Sequence, residues 1–289
     1  MPELPEVETV RRDLTAVILH QKIKSVKILS QPTIKNSPAL FLRILKNNEF
    51  VKIERIGKLL IFNLANGKNY LLVHLKMTGQ LIYDSGKNVV VGGHSLNKNR
   101  TEEMVKPQRS TRVYFIFADG SRLFFNDQRR FGYLKIVDYN ELEKIKSKYG
   151  LEPLTPEFKK DKWRQIFSGR KKNVKALLLD QSLVAGVGNI YADEVLFASG
   201  ILPNRLANSL KLVEIDKIFK NLQIILARAI AERGTTFNNY VDGHGRKGGF
   251  VNFLKVYGRK GQNCKKCKTP LKSTKVAGRG TIYCIKCQK

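Results

Sequence analysis

All four cysteines of this 289-residue chain fall in its last 26 residues, as the pairs Cys264/Cys267 and Cys284/Cys287 with sixteen residues between them. Two Cys-x-x-Cys pairs at this spacing suit a ribbon in which each pair forms a knuckle and four thiolates close a β-hairpin around one tetrahedral ion. The alternative is a pair of disulfides, which a reducing compartment disfavours. Four thiolates leave no open position for water or substrate, so the expected zinc, one per chain, is structural. The hairpin is basic, and Val276-Ala277-Gly278-Arg279-Gly280-Thr281 sets one arginine between two glycines. Such an arginine either projects towards a phosphate or is an ordinary solvated turn residue.

Charge narrows the partner. Lys and Arg number 53 against 24 Asp and Glu, a formal charge of +29, far beyond what solubility requires. A polyanion is the expected partner. Ribosomal and chromatin proteins share this bias, so charge supplies the partner class and not the activity. A hydrophobic content of 42% supports packed cores, and the length suggests about two domains. No apolar run approaches about 18 residues and no signal peptide is visible, so a cytoplasmic protein without a membrane span is expected.

Short β-like runs occupy residues 23–29, 50–56, 59–64, 70–75, 113–117, 123–125 and 133–137, with hairpin turns at Asn66-Gly67 and Asp119-Gly120. They predict an antiparallel sandwich or flattened barrel behind a first helix. Residues 84–110 read as a long surface loop, and 149–160, with Gly150, Pro153 and Pro156, as a linker. The period then becomes helical. Residues 174–180 and 191–199 predict two short helices joined by tight turns from Gln181 to Asn189. Ile215, Ile218, Phe219, Leu222, Ile225, Leu226 and Ala229 mark one face of a long helix. Helix, tight turns and helix can dock on DNA where a turn meets a phosphate; Asn189 either caps the second helix or reaches that phosphate. Residues 232–252, with five glycines, read as a mobile loop. The division expected is 1–149, a linker at 150–161, a helical domain at 162–252 and the ribbon at 253–289.

The chain opens Met1-Pro2-Glu3-Leu4-Pro5-Glu6-Val7-Glu8. Proline is small enough for the initiator methionine to be removed, leaving a secondary amine with Glu3 and Glu6 nearby. An α-amino group titrates near pH 8, so a useful fraction is neutral at physiological pH. Condensed with a sugar aldehyde carbon, it gives an obligatorily cationic iminium, a built-in electron sink. The plain alternative is structural: Pro5 occupies a first helical turn, and Glu6 and Glu8 complement the dipole of a helix whose apolar face is Val7, Val10, Leu14 and Val17.

Taken together, the opening octapeptide, His74-Leu75-Lys76-Met77-Thr78-Gly79, Arg129-Arg130-Phe131-Gly132, the turn from Ala185 to Asp193, Val256-Tyr257-Gly258-Arg259-Lys260-Gly261 and the cysteine ribbon resemble the bacterial formamidopyrimidine-DNA glycosylase family. The motifs occur in the family's order and span the chain. The resemblance implies an α+β fold: an N-terminal β-sandwich with an N-terminal helix, then a helical domain with a helix-two-turn-helix and a zinc-ribbon hairpin. It implies a bifunctional glycosylase and lyase acting on double-stranded DNA that carries oxidised purines or abasic sites, working as a nucleoid-associated cytoplasmic monomer. Pro2 would attack the sugar C1′, Glu3 would assist ring opening as the acid, and Glu6 would support the geometry. Lys58 and His74 would contact phosphate near the lesion, and Asn189 and Arg279 would grip the kinked backbone.

The physics of base excision agrees with that assignment. A stacked base hides its glycosidic carbon, so the nucleotide must be rotated out and the gap plugged. Met77 and Phe131 suit the wedge, and Arg129 offers donors to the O2 and N3 acceptors of an orphaned cytosine. Three departures bear on the fit at the orphan base: a longer stretch between Met77 and Arg129, Gln128 where the family usually has proline, and Lys76. Two other readings stand beside this one. They are an endonuclease VIII-type glycosylase for oxidised pyrimidines, and a non-enzymatic zinc-ribbon nucleic-acid binder.

Overall fold

Helix α1 (Leu4–Ile18) begins where Pro5 fits a first helical turn and Glu6 reaches back, its Oε2 accepting the Glu3 N–H at 2.8 Å. Leu4, Val7, Val10, Leu14 and Ile18 line its buried face, while Val17 packs at the margin of the same core. The computed structural model describes residues 1–87, 89–94, 106–235, 240–241 and 248–289. Its contacts divide the chain into two units, Met1–Ser147 with Glu232–Val251, and Lys148–Ala231 with Asn252–Lys289.

The first unit holds two antiparallel sheets. Strands β1 (Ile23–Ile28), β5 (Gly79–Asp84), β6 (Val89–His94), β7 (Thr111–Phe117), β8 (Arg122–Asp127) and β10 (Tyr240–Val241) run in the order β1-β7-β8-β5-β6-β10. Strands β2 (Phe50–Ile56), β3 (Leu59–Leu64), β4 (Asn69–His74) and β9 (Tyr133–Asp138) run β2-β3-β4-β9. The sheets share one core: the Phe50 ring of the second lies 5.9 Å from Phe115 and 6.4 Å from Phe117 of the first. The expected sandwich with its N-terminal helix is present. Gly67 and Gly120 turn their hairpins at φ +67° and +88°, a conformation glycine enters without steric cost.

Three readings of the sequence need correction. Strand β5 has no alternating pattern because it is buried on both faces from Gly79 to Tyr83, so its short apolar run carries no strand signal. The stretch 84–110 is not simply a loop, since Val89-Val90-Val91 belong to β6, which pairs with β5. A Cβ at Gly92 would lie 2.8 Å from Val10 Cγ2, so glycine lets this strand cross close to α1. Residues 88 and 95–105 of that stretch lie outside the described residues. The described part of 232–252 is hydrogen-bonded structure: Thr235 bridges Gly249, and Tyr240 and Val241 pair with His94 and Gly93. Residues 236–239 and 242–247, also read as loop, lie outside the described residues.

Two further helices, α2 (Pro38–Leu45) and α3 (Tyr139–Lys146), carry caps on Ser37 and Asp138 that the sequence analysis did not use. The second unit contains α4 (Lys160–Gln165), α5 (Val174–Leu179), α6 (Asn189–Ser199) and α7 (Leu212–Ala231). Trp163, fully buried, donates its Nε1–H to the Ile215 carbonyl at 3.0 Å and packs with Phe158, Phe167 and Phe219. The hairpin of β11 (Lys272–Val276) and β12 (Arg279–Tyr283) is held to α6 by Asp193, whose Oδ2 accepts the Ile282 N–H at 3.1 Å, while the neighbouring Glu194 carboxylate accepts the N–H groups of Lys255, Val256 and Tyr257, ahead of the hairpin, at 2.8–3.0 Å. Contacts thus group the ribbon with the helices and Glu232–Val251 with the sandwich, a different partition from the four segments read in the sequence.

The stretch 149–160 is no free tether either. Gly150 N–H donates to Gln181 O at 2.9 Å, Leu151 N–H to Leu183 O at 3.0 Å, and Ala185 N–H back to Leu151 O at 2.9 Å. A Cβ at Gly150 would stand 2.3 Å from the Leu183 carbonyl carbon and oxygen, so backbone must move if one is added. Gly150→Ala is expected to destabilise the helical unit by about 1–3 kcal/mol, read by urea denaturation. A wild-type midpoint would show that this strand-like contact carries no weight.

Candidate active site

Pro2, Glu3 and Glu6 are buried together at the start of α1. Both oxygens of Glu6 are engaged by backbone: Oε2 by Glu3 N–H at 2.8 Å and Oε1 by Thr235 N–H at 2.8 Å. Gly234, at φ +85°, makes this approach possible, because a Cβ there would lie 2.8 Å from Glu6 Oε1. A carboxylate held in this way fixes the peptide that carries Pro2 and Glu3.

Lys58, also buried, sits in the two-residue turn between β2 and β3 that Gly57 opens at φ +55°. The next residue, Leu59, pairs with His74 at the end of β4. His74 Nδ1 accepts the Lys76 N–H at 3.0 Å, which leaves the proton of a neutral ring on Nε2. Burial first, then the positive charges of Lys76 and Lys58, push its pKa down to about 3. At neutral pH His74 offers an uncharged N–H donor.

Two turns are tied by one buried pair. Met77 rides a tight turn closed by Gly79 N–H to Leu75 O at 2.8 Å, where a Cβ on Gly79 would strike the Leu75 carbonyl at 2.3 Å. Phe131, 59% exposed, stands on the turn after β8 with Arg129 beside it, also exposed. The fully buried Asp127 carboxylate accepts from Thr78 Oγ1, from Arg129 N–H at 3.2 Å and from Gly132 N–H at 2.6 Å. Thr78 Oγ1 in turn accepts the Arg129 N–H at 3.0 Å. Met77, Arg129 and Phe131 are thus presented from one hydrogen-bonded unit.

In the second unit, Gln181 closes the turns between α5 and α6, donating to Leu179 O and Val187 O and accepting the Gly186 N–H. Gly188, not Asn189, is the N-cap of α6. Asn189 is the first helical residue; its Nδ2 donates to Gly280 O at 3.0 Å, beside Arg279. Beneath this contact Lys175, fully buried, donates to Gly280 O at 3.1 Å and Thr281 Oγ1 at 2.8 Å and pairs with Asp193 at 2.6 Å. Burial pushes the Asp193 carboxyl up to about 6 against the pull of Lys175.

The four cysteine sulfurs all lie within 4.8 Å of one another, with Cys264 to Cys287 at 3.9 Å and Cys267 to Cys284 at 3.4 Å. A tetrahedron of thiolates about 2.3 Å from a central ion has edges of about 3.8 Å, so the residues fit a tetrathiolate metal site. These are free thiols rather than disulfides.

Residues 1–134 match the formamidopyrimidine-DNA glycosylase N-terminal domain family, and residues 149–240 match the formamidopyrimidine-DNA glycosylase H2TH domain family. The chain is 39% identical over 293 residues to formamidopyrimidine-DNA glycosylase of Pelotomaculum thermopropionicum, covering 100% of this chain and 99% of that one. It is 40% identical over 290 residues to that of Carboxydothermus hydrogenoformans, with both covered in full. Among solved structures it superposes on Lactococcus lactis Fpg in complex with DNA containing an abasic site, at TM-score 0.86 and 32% identity over 99% of each chain. A Lactococcus lactis Fpg variant with Fapy-dG containing DNA gives TM-score 0.87 at 32% identity over 100% of each.

This chain belongs to the formamidopyrimidine-DNA glycosylase family. It is a DNA-repair glycosylase, and the reading as a non-enzymatic nucleic-acid binder is set aside. Among the described residues no helix is long and apolar enough to cross a membrane. Within this glycosylase the structure gathers Pro2, Glu3 and Glu6; Lys58 with His74; Met77 with Arg129 and Phe131; Asn189 with Arg279; and the four cysteines. The residues that hold these groups in place, Thr78, Asp127, Lys175 and Thr235, are not legible as such in the sequence. Thr78 lies inside the motif at 74–79 and Asp127 two residues before Arg129, so their place in the sequence marks them, but not the bonds they make.

The histidine makes a pH prediction. In the unfolded chain a histidine titrates near about 6.5, so between pH 6.5 and 3 the unfolded state binds a proton that folded His74 refuses. Its contribution to stability is complete above pH 6.5 and is lost as pH falls. Glu8, held at about 2, acts in the same direction only at lower pH. His74→Gln is expected to lose stability less steeply than wild type from pH 6.5 to 5, by up to about 1.4 kcal/mol per pH unit in urea titrations. Equal slopes would mean the ring titrates normally in the folded protein.

Proposed function

We propose that this glycosylase is also an abasic-site lyase, and that it removes oxidised purines such as 8-oxoguanine and formamidopyrimidines from duplex DNA in base excision repair. The observation that carries the reading is the start of α1, where Pro2 is buried beside two carboxylates and Glu6 fixes the backbone of both. After Met1 is removed, the Pro2 nitrogen attacks C1′ of the extruded nucleotide and the bond from C1′ to the base breaks. Glu3 protonates the ring oxygen as the sugar opens to the iminium. When a C2′ proton is removed by a base, the C–H electron pair enters the iminium, the enamine so formed expels the 3′ phosphate with that pair, and a second elimination expels the 5′ phosphate. Hydrolysis then returns the free amine.

The rest of the chain suits this chemistry. Met77 and Phe131 fill the gap left by the base, and Arg129 reads the orphaned cytosine. Lys58, Asn189 and Arg279 hold phosphates, while neutral His74 adds a hydrogen bond without releasing a counterion. The N-terminus of α6, capped by Gly188 with no side chain over it, favours a phosphate. The cysteine cluster holds one structural zinc that keeps Arg279 on its hairpin. The likeness to a Lactococcus lactis enzyme with Fapy-dG containing DNA supports the purine branch over the pyrimidine one. The protein works as a monomer on the nucleoid.

Borohydride added during turnover on a duplex with 8-oxoguanine opposite cytosine should reduce the iminium and leave DNA covalently attached at residue 2, located by peptide mass. Pro2→Gly should retain part of the activity, since a primary amine still forms an imine. Glu3→Gln should lose excision of an intact base more than trapping on a preformed abasic site. An adduct on a lysine instead, with N-terminally extended protein fully active, would overturn the mechanism.

Cys267→Ser should lose the metal and weaken DNA binding while the sandwich unit stays folded, as elemental analysis and circular dichroism would show. Metal-free protein binding DNA at full affinity would remove zinc from the account.

A further inference from the structure

Glu8 is buried on the same helix as Glu3 and Glu6, yet the chemistry above does not use it. Its carboxylate is enclosed by guanidinium groups. Oε1 accepts from Arg11 Nη2 and Arg12 Nε, each at 2.8 Å, and Oε2 from Arg11 Nε at 3.0 Å and Arg55 Nε at 3.1 Å. Burial opposes this charge, but the hydrogen bonds from Arg11 and Arg12 and the charge of Arg55 outweigh it, and Glu8 stays ionised down to about pH 2. Two of the arginines carry the contact onward to β2 and the turn after it: Arg11 Nη1 donates to Ile53 O at 3.3 Å and Arg55 Nη1 to Gly57 O at 3.0 Å.

The second of these contacts falls at an informative place. The Gly57 carbonyl belongs to the peptide that joins Gly57 to Lys58. Fixing that carbonyl fixes the peptide plane, and with it the direction in which Lys58 leaves the turn. The brace therefore runs from α1, which carries Pro2 and Glu3, through Glu8 and Arg55 to the turn that carries Lys58. We infer that Glu8 and Arg55 are positioning residues that hold the phosphate-binding lysine turn in register with the N-terminal amine. The inference rests on the roles proposed above for Pro2 and Lys58.

The geometry demands arginine at 55. One guanidinium reaches Glu8 Oε2 and Gly57 O from two separate nitrogens, whereas a lysine has a single ammonium and cannot span both. Arg55 is also poorly placed to meet a phosphate itself, since its side chain is only 11% exposed.

Wild type, Glu8→Gln, Arg55→Lys and the double variant are compared in three measurements: single-turnover excision at saturating enzyme, borohydride trapping on a preformed abasic site, and affinity for a duplex with an uncleavable abasic analogue across a salt series. Each single variant should slow excision and trapping by about 10–100-fold, the scale of a small misplacement of reacting groups. Affinity should change by less than about threefold with the salt slope unaltered, whereas loss of a phosphate contact lowers that slope by about 0.9. The double variant should be no slower than the slower single, because both break one brace. Folded Arg55→Lys with wild-type trapping would overturn the inference, as would a reduced salt slope or multiplying effects in the double. Should Glu8→Gln not fold, Arg55→Lys decides alone, since it keeps the charge and changes only the reach. A wild type that traps nothing at residue 2 would instead sink the proposed chemistry, whatever the variants do.

Discussion

Glu6 spends both carboxylate oxygens on backbone N–H groups, one from Glu3 and one from Thr235, 229 residues further along the chain. A buried hydrogen bond to a charged acceptor contributes about 1.5–3 kcal/mol, so these two outweigh the local preference of any residue in the first turn. Their consequence is positional. The peptide that joins Pro2 to Glu3 is thus tied through Glu6 to a segment remote in the chain, and Glu232–Val251 packs with the sandwich although a long helix precedes it. Gly234 serves the same contact from the other side, its positive φ and missing Cβ admitting the Glu6 carboxylate. The N-terminus of this enzyme is therefore held by a contact that closes across 229 residues of chain.

A similar economy governs the turn that carries Arg129 and Phe131. At Gln128, where the resemblance implies proline, the turn is held by Asp127 accepting two of its backbone N–H groups. Arg130 takes a left-handed φ of +59° between them, a conformation that persists only when its neighbours are held. Lys76, another departure, also adopts a positive φ, +50°, with Nζ 5.9 Å from the Tyr133 ring and its N–H on His74. The cation–π contact places the Lys76 side chain, while the hydrogen bond to His74 is made by its backbone.

What the sequence could reveal was chemistry that is local in the chain. The cluster of Pro2, Glu3 and Glu6, the paired cysteines, the hairpin glycines and the helical period of α7 each occupy a short window, and the structure contains each. Strand β5 escaped because burial on both faces removes alternation, and β6 because Val89-Val90-Val91 stands next to glycines that normally signal a loop. The docking of 149–160 onto residues 181–185 escaped because Gly and Pro are ambiguous between a linker and a close backbone approach. The bracing residues are hidden for a different reason. Asp127, Lys175 and Glu194 act through buried contacts with segments remote in sequence or with turn amides, and nothing in their neighbours announces the partner.

Burial also sharpens the electrostatics of the surface. Among the described residues Glu3, Glu6, Glu8, Asp127, Asp193 and Glu194 are buried, against only Lys58, Arg112 and Lys175 of the basic ones. Six acidic against three basic side chains are thus withdrawn from solvent among the described residues, so burial leaves the surface they form more cationic than their formal charge. The withdrawn carboxylates are not idle: they accept backbone N–H groups at α1, at the wedge turn and at the ribbon, or pair with arginine and lysine. One device thus meets two needs of a polyanion-binding enzyme. Carboxylates supply the charged acceptors that rigidify its loops, and placing them inside keeps their repulsion away from the phosphates, where salt would screen it only in part.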